Sequence, residues 1–124
     1  MILQHIALSV FDIEEVENFY INILGMEIIK NFVLKKDLSK EIFNIDQDTP
    51  AYILQKNNLF FELFVSHETF RKGFNHICIT IENREKLIKK SKAANYTCTR
   101  IVREFSDLIF IKDQSGNVFE IKEI

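Results

Sequence analysis

From Leu3 to Phe11 the apolar residues Ile6, Leu8 and Val10 alternate with His5, Ala7 and Ser9. A period of two predicts a strand. Asp12 followed by Glu15 is an N-cap pattern, and Ile13, Val16, Phe19, Tyr20, Ile23 and Leu24 then recur at helical spacing up to a capping Gly25. Met26–Leu34 is apolar and β-prone and predicts a second strand. Lys35–Thr49 is polar and mixed, with room for a short helix over Leu38–Phe43. Pro50–Gln55 and Leu59–Val65 read as two strands joined by a turn at Asn57-Asn58. Ser66–Gly73 is a polar connection.

The same order then returns. Phe74–Ile81 alternates His76, Cys78 and Thr80 against Ile77, Ile79 and Ile81. Asn83 is an N-cap for a helix through Leu87, Ile88, Ser91 and Ala94. Thr97–Phe105, Leu108–Lys112 and Val118–Ile121 read as strands, with a turn at Asp113-Gln114-Ser115-Gly116-Asn117. The order is βαβββ twice, and His5-Ile6-Ala7-Leu8-Ser9-Val10 aligns with His76-Ile77-Cys78-Ile79-Thr80-Ile81. The fourth strand of each half carries a Glu in an apolar run, Phe60-Phe61-Glu62-Leu63-Phe64 and Val118-Phe119-Glu120-Ile121. An internal duplication is expected, with module one at about 1–66 and module two at about 74–124 of a single 124-residue domain.

Composition changes this picture only at its edges. With 3 Gly and 1 Pro in 124 residues, linker-like and collagen-like chains are excluded. A net charge of −2 argues against a nucleic-acid partner, which needs a concentrated basic surface. No apolar run approaches the ~20 residues that cross a bilayer. The start Met1-Ile2-Leu3-Gln4-His5 lacks a signal-peptide pattern, and Cys78 and Cys98 do not form a disulfide framework, so a cytoplasmic location is expected. Twelve Phe and no Trp demand either aromatic cores or a lined cavity.

Alternation along a strand places His5, Ala7 and Ser9 opposite the face that packs under the helix. It does the same for His76, Cys78 and Thr80, for Glu62 and for Glu120. A carboxylate inside an apolar strand is costly to bury alone. Two imidazoles and two carboxylates on one face of a curved sheet, or of two facing sheets, can hold a divalent ion such as Zn, Ni, Co, Fe or Mn. Their charges leave a 2+ ion neutral overall. Phe60 and Phe64 share the face of Glu62 and would wall the pocket around it. His67 reads as a surface residue, Phe19 and Tyr20 as core, and the basic second helix as a solvated face.

The stretches His5–Asp12, Phe19-Tyr20, Leu24-Gly25-Met26, Asn75–Ile79 and Asp113–Ile121 together resemble the vicinal-oxygen-chelate superfamily of glyoxalase I, methylmalonyl-CoA epimerase, bleomycin-binding proteins and dioxygenases. Gln114 stands where that family usually has Pro. The resemblance implies an α+β fold of two βαβββ modules forming a cupped mixed sheet, and a homodimer. It also implies a divalent metal held by His5, Glu62, His76 and Glu120, with Glu62 or Glu120 as the base. The implied activity is that of a metal-dependent lyase or isomerase abstracting a proton next to a carbonyl of a small α-oxo or thiol-adduct substrate. Ser9 stands where glutathione-using members carry Arg, and Ser66 where they carry Asn, which argues against a glutathione hemithioacetal. Arg100 or Arg103 could supply the missing charge. Two alternatives remain within the superfamily: a thiol transferase or oxygenase, against which Glu62 stands, and a small-molecule binding or antibiotic-resistance protein.

Overall fold

Strand pairing starts where the alternation starts. In the computed structural model, which describes residues 1–68 and 73–124, β1 (Ile6–Val10) runs parallel to β4 (Leu59–Val65). β4 is antiparallel to β3 (Thr49–Lys56), and β3 to β2 (Glu27–Leu34), giving the order β1-β4-β3-β2. The second half repeats the scheme with β5 (Ile77–Ile81), β6 (Thr97–Ile101), β7 (Leu108–Lys112) and β8 (Val118–Glu123) in the order β5-β8-β7-β6. Two mixed four-stranded sheets with few helices make this an α+β fold. The chain divides into two compact units, Met1–Glu68 and Thr69–Ile124, and each sheet lies within one of them. Of the polar connection expected over Ser66–Gly73, residues 69–72 lie outside the described residues.

Helix α1 (Lys36–Phe43) occupies the polar stretch where a short helix was expected, and ends at Asn44 in the left-handed region with φ 59°. Helix α2 (Arg84–Ala93) starts as its sequence predicts, with the Asn83 side chain accepting a hydrogen bond from the Lys86 N–H at 2.9 Å. The helix expected between Asp12 and Gly25 differs. Its regular part, Val16–Ile21, is π-helical, with bonds such as Asn22 N–H to Glu17 O and Leu24 N–H to Phe19 O. Two adjacent aromatics, Phe19 and Tyr20, are both fully buried there and meet edge to face with centroids 5.1 Å apart. Both were expected in the core; only the wider turn is not signalled by the spacing. Gly25, at φ +70°, closes the segment as expected, and Lys56 Nζ donates to the Leu24 carbonyl at 2.7 Å.

Three expected strands are shorter in the structure. The first begins at Ile6 rather than Leu3, the fifth at Ile77 rather than Phe74, and β6 ends at Ile101 rather than Phe105. His5 and His76 therefore each stand one residue before a strand. For His76 the reason is local: its Nδ1 bonds the Phe74 carbonyl at 2.8 Å, so the backbone there turns instead of joining the ladder.

The cores lie on one face of each sheet. In the first unit Val10, Leu54, Phe61 and Leu63 are fully buried, and Tyr20 meets Phe61 edge to face with centroids 6.1 Å apart. In the second, Ile109, Ile111, Phe119 and Ile121 are buried beside Leu87 and Ile88 of α2. Phe61→Ala is expected to cost about 3–5 kcal/mol, because the ring leaves a cavity that a sheet cannot collapse around. Urea unfolding measures it, and a loss below about 1 kcal/mol would contradict this account of the core. Among the described residues no helix is long and apolar enough to cross a membrane.

Candidate metal centre

The buried residues Phe61 and Leu63 point to the core, so Glu62 between them points to the opposite face. Its cross-strand partners are Ala7 on β1 and Ile53 on β3. The ladder repeats in the second unit: Phe119 and Ile121 are buried, and Glu120 sits between Cys78 on β5 and Phe110 on β7. The expected sidedness of Glu62, Glu120, Ala7 and Cys78 is thus observed within each sheet. Two small residues and two large apolar ones flank the equivalent carboxylates.

Each histidine reaches the glutamate of its own unit. His5 Nε2 lies 2.9 Å from Glu62 Oε2, and His76 Nε2 lies 3.4 Å from Glu120 Oε2. The carboxylates are well covered, at 15% and 16% exposure, while the imidazoles are open, at 47% and 42%. Among the described residues, no third His, Cys, Asp or Glu is positioned with either pair to hold a metal.

The chemistry of the donors fits a divalent ion. A carbonyl oxygen only accepts, so the 2.8 Å bond to the Phe74 carbonyl makes His76 Nδ1 the protonated nitrogen. With Nδ1 carrying a proton, Nε2 is the nitrogen turned toward the anionic oxygen. Two acceptors at that distance repel unless a cation, either a second proton or a metal ion, lies between them. Fixing the tautomer by a hydrogen bond on the far nitrogen is the usual support of a metal-ligating imidazole. The spacing agrees as well. Donors at about 2.0–2.1 Å from one ion, at angles between octahedral and tetrahedral, lie about 2.9–3.4 Å apart.

Neighbouring groups tune the two pairs differently. The His76 ring stands edge-on to Phe110 with centroids 6.1 Å apart, which restricts its orientation. Cys78 is exposed, and desolvation, with the Glu120 carboxylate beside it, raises its thiol pKa. It is therefore kept as a neutral thiol. Phe60 and Phe64 are half-buried on the Glu62 face, and Phe64 packs against Phe43 of α1 with centroids 5.9 Å apart. His67 is exposed, as expected.

Neither arginine supplies a charge to this face. Arg100 pairs in register with buried Ile109, so it leaves β6 on the helix side. There it is bound by Glu85 and by Asp107, the latter at 2.9 Å, and the two carboxylates hold its guanidinium above its ordinary pKa. Arg103 turns back onto Ser106, with Nε donating to the Ser106 carbonyl at 3.0 Å.

A feature that sequence patterning missed is a pocket of about 200 Å³ inside the first unit, under α1. It begins at Ala7, the cross-strand partner of Glu62. The short helix expected over Leu38–Phe43 gave no sign that it would cover a pocket.

The profile of the Glyoxalase/Bleomycin resistance protein/Dioxygenase superfamily matches residues 2–121. Among solved structures, the fold is similar to a fosfomycin resistance protein, FosX, from Listeria monocytogenes, in complex with Mn(II) and 1S,2S-dihydroxypropylphosphonic acid. The TM-score is 0.78 at 21% identity, over 98% of this chain and 93% of that one. It is also similar to a glyoxalase family protein from Enterococcus faecalis, with a TM-score of 0.71 and 18% identity over 96% and 94% of the chains. The trypanothione-dependent glyoxalase I of Leishmania major gives a TM-score of 0.71 at 16% identity over 99% and 86%. No curated protein matches the sequence significantly. With nearly its whole length matched and its βαβββ order repeated, the chain belongs to the Glyoxalase/Bleomycin resistance protein/Dioxygenase superfamily.

Proposed function

We propose that the protein is a metal-dependent lyase or isomerase of glyoxalase I-like type, with His5, Glu62, His76 and Glu120 as ligands of one divalent ion. The observation that carries the reading is the repeated His–Glu pair. Each has its carboxylate on the non-core face of a sheet and its imidazole Nε2 turned to that carboxylate. One pair supplies only two donors, so the reading takes both pairs as ligands. The bound ion supplies a Lewis acid for the two neighbouring oxygens of an α-oxo substrate.

The chain's own residues do the rest. Glu62 or Glu120 takes the proton from the carbon next to the carbonyl and returns it to the neighbouring carbon. Their limited exposure keeps water from competing for that proton. The Nδ1–H bond to Phe74 holds His76 in one tautomer throughout. Ser9 and Ser66 in place of charged or amide partners favour a substrate other than a glutathione adduct. The reading includes a homodimer that takes a small-molecule substrate.

A chelator-treated sample titrated with Mn(II), Ni(II) and Zn(II) tests it. Wild type is expected to bind one ion per chain, and His76→Ala to bind at least about 10–100-fold more weakly. A screen over α-oxo thioesters and hemithioacetals then tests the reaction class. Binding with no turnover would remove the reaction and keep the site; unchanged affinity in His76→Ala would remove the site. A second reading, a small-molecule binding or resistance protein of the same superfamily, is favoured by the pocket under α1, which can hold a ligand without any metal.

A further inference from the structure

We propose that the pocket under α1 is a specificity pocket for an uncharged, mainly apolar substituent of about six to eight non-hydrogen atoms that carries one hydrogen-bonding oxygen. This deepens the reading above and rests on it for the identity of the ligand as a substrate.

Size comes first. A cavity of about 150 Å³ lined by apolar groups accepts benzene, so the roughly 200 Å³ here suits a ring or a branched acyl chain of similar bulk. Charge comes second. Among the described residues no Asp, Glu, Lys, Arg or His lines the pocket, and its walls include Leu34, Phe43, Ile45 and Phe64. An anionic group entering it would lose its water and meet no cation among those residues, a cost that neutral groups avoid.

The third observation is polar. Ser39, Thr49 and Ser66 line the pocket and are buried, at 2%, 4% and 3% exposure. Gln47 Nε2 donates to Thr49 Oγ1 at 3.3 Å and to Ser66 Oγ at 3.4 Å, and the Glu68 N–H donates to Ser66 Oγ at 3.2 Å. Thr49 in turn donates to the Gln47 carbonyl at 3.4 Å. Ser39 stands on α1, almost fully buried, and brings a third hydroxyl to the wall. A ligand oxygen in the pocket can hydrogen-bond to these hydroxyls in place of water. Because Ala7 lines the pocket and pairs with Glu62, a substituent held here leaves the rest of its molecule beside the first His–Glu pair.

The test uses NMR titration of the full chain with three probes: toluene, benzyl alcohol and benzoate. Benzyl alcohol is expected to perturb the amides of Ser39, Phe43 and Phe64 and to bind at least about tenfold more tightly than benzoate. Ser39→Ala should weaken benzyl alcohol about 2–10-fold and leave toluene unchanged, because only one hydrogen bond is lost. Ser39→Leu, which fills the space, should weaken both neutral probes at least about tenfold. Mn(II) affinity should not change in either variant. Benzoate binding as tightly as benzyl alcohol, or benzyl alcohol unaffected by both substitutions, would overturn the proposal. Mn(II) binding without benzyl alcohol binding would overturn the pocket and spare the metal reading. The reverse result would spare the pocket and overturn the metal reading.

Discussion

Of Glu120→Gln and Glu62→Gln, the one that removes the base is expected to lower turnover of any substrate the protein processes by about 10²–10⁴-fold, the range a positioned general base contributes. In Glu120→Gln the amide keeps the shape of the side chain between Cys78 and Phe110 but removes both the negative charge facing His76 and the proton acceptor. Glu62→Gln makes the matching change between Ala7 and Ile53. The two variants separate ligand from base. Both should bind Mn(II) more weakly, since each loses an anionic donor. At saturating metal, the variant lacking the base should keep its low kcat, while the other recovers most of its rate. Full turnover of both at saturating metal would mean that neither carboxylate moves the proton.

The second large effect is on stability. Asp113→Ala is expected to destabilise the protein by about 2–4 kcal/mol, lowering Tm by roughly 10 °C. The carboxylate is buried at 5% exposure. It accepts from the Ser115 N–H at 2.9 Å, the Asn117 N–H at 2.8 Å and Asn117 Nδ2 at 2.7 Å. Alanine leaves these donors without their charged acceptor, and Ser115 and Asn117 are themselves buried. Asp113→Asn keeps one acceptor oxygen and should cost less. The loop also sets the β7–β8 register that puts Phe110 beside Glu120, so the alanine variant should bind metal more weakly than its stability loss alone explains. Thermal unfolding within about 0.5 kcal/mol of wild type would show that the loop is held by something else.

Much of the fold was legible because its elements announce themselves locally. Period-two alternation marks Ile6–Val10 and Ile77–Ile81, Asn83 caps α2 through its own side chain, and Asn57, Gly25 and Gly116 occupy positive φ at turns. Sidedness follows from the same period, which is why the sequence alone sets Glu62 and Glu120 opposite the core. Other features depend on more than local pattern. Hydrophobic spacing does not distinguish a π-helical Val16–Ile21 from an α-helix, because both can bury Phe19 and Tyr20. The strand beginning at Phe74 was too long because the bond from His76 to the Phe74 carbonyl is a side-chain choice that alternation does not encode.

The sequence by itself determined the duplicated α+β scheme, the residue types available for a metal and the face on which each stands. These follow from chain periodicity, and periodicity is a local property. Tertiary structure decided the 2.9 Å and 3.4 Å approach of each imidazole to its carboxylate. It also decided that Arg100 is spent on Glu85 and Asp107, and that α1 roofs an uncharged pocket beginning at Ala7. Those outcomes depend on residues far apart in the chain meeting across strands, and distance in space is the quantity a pattern of residues along a line does not carry.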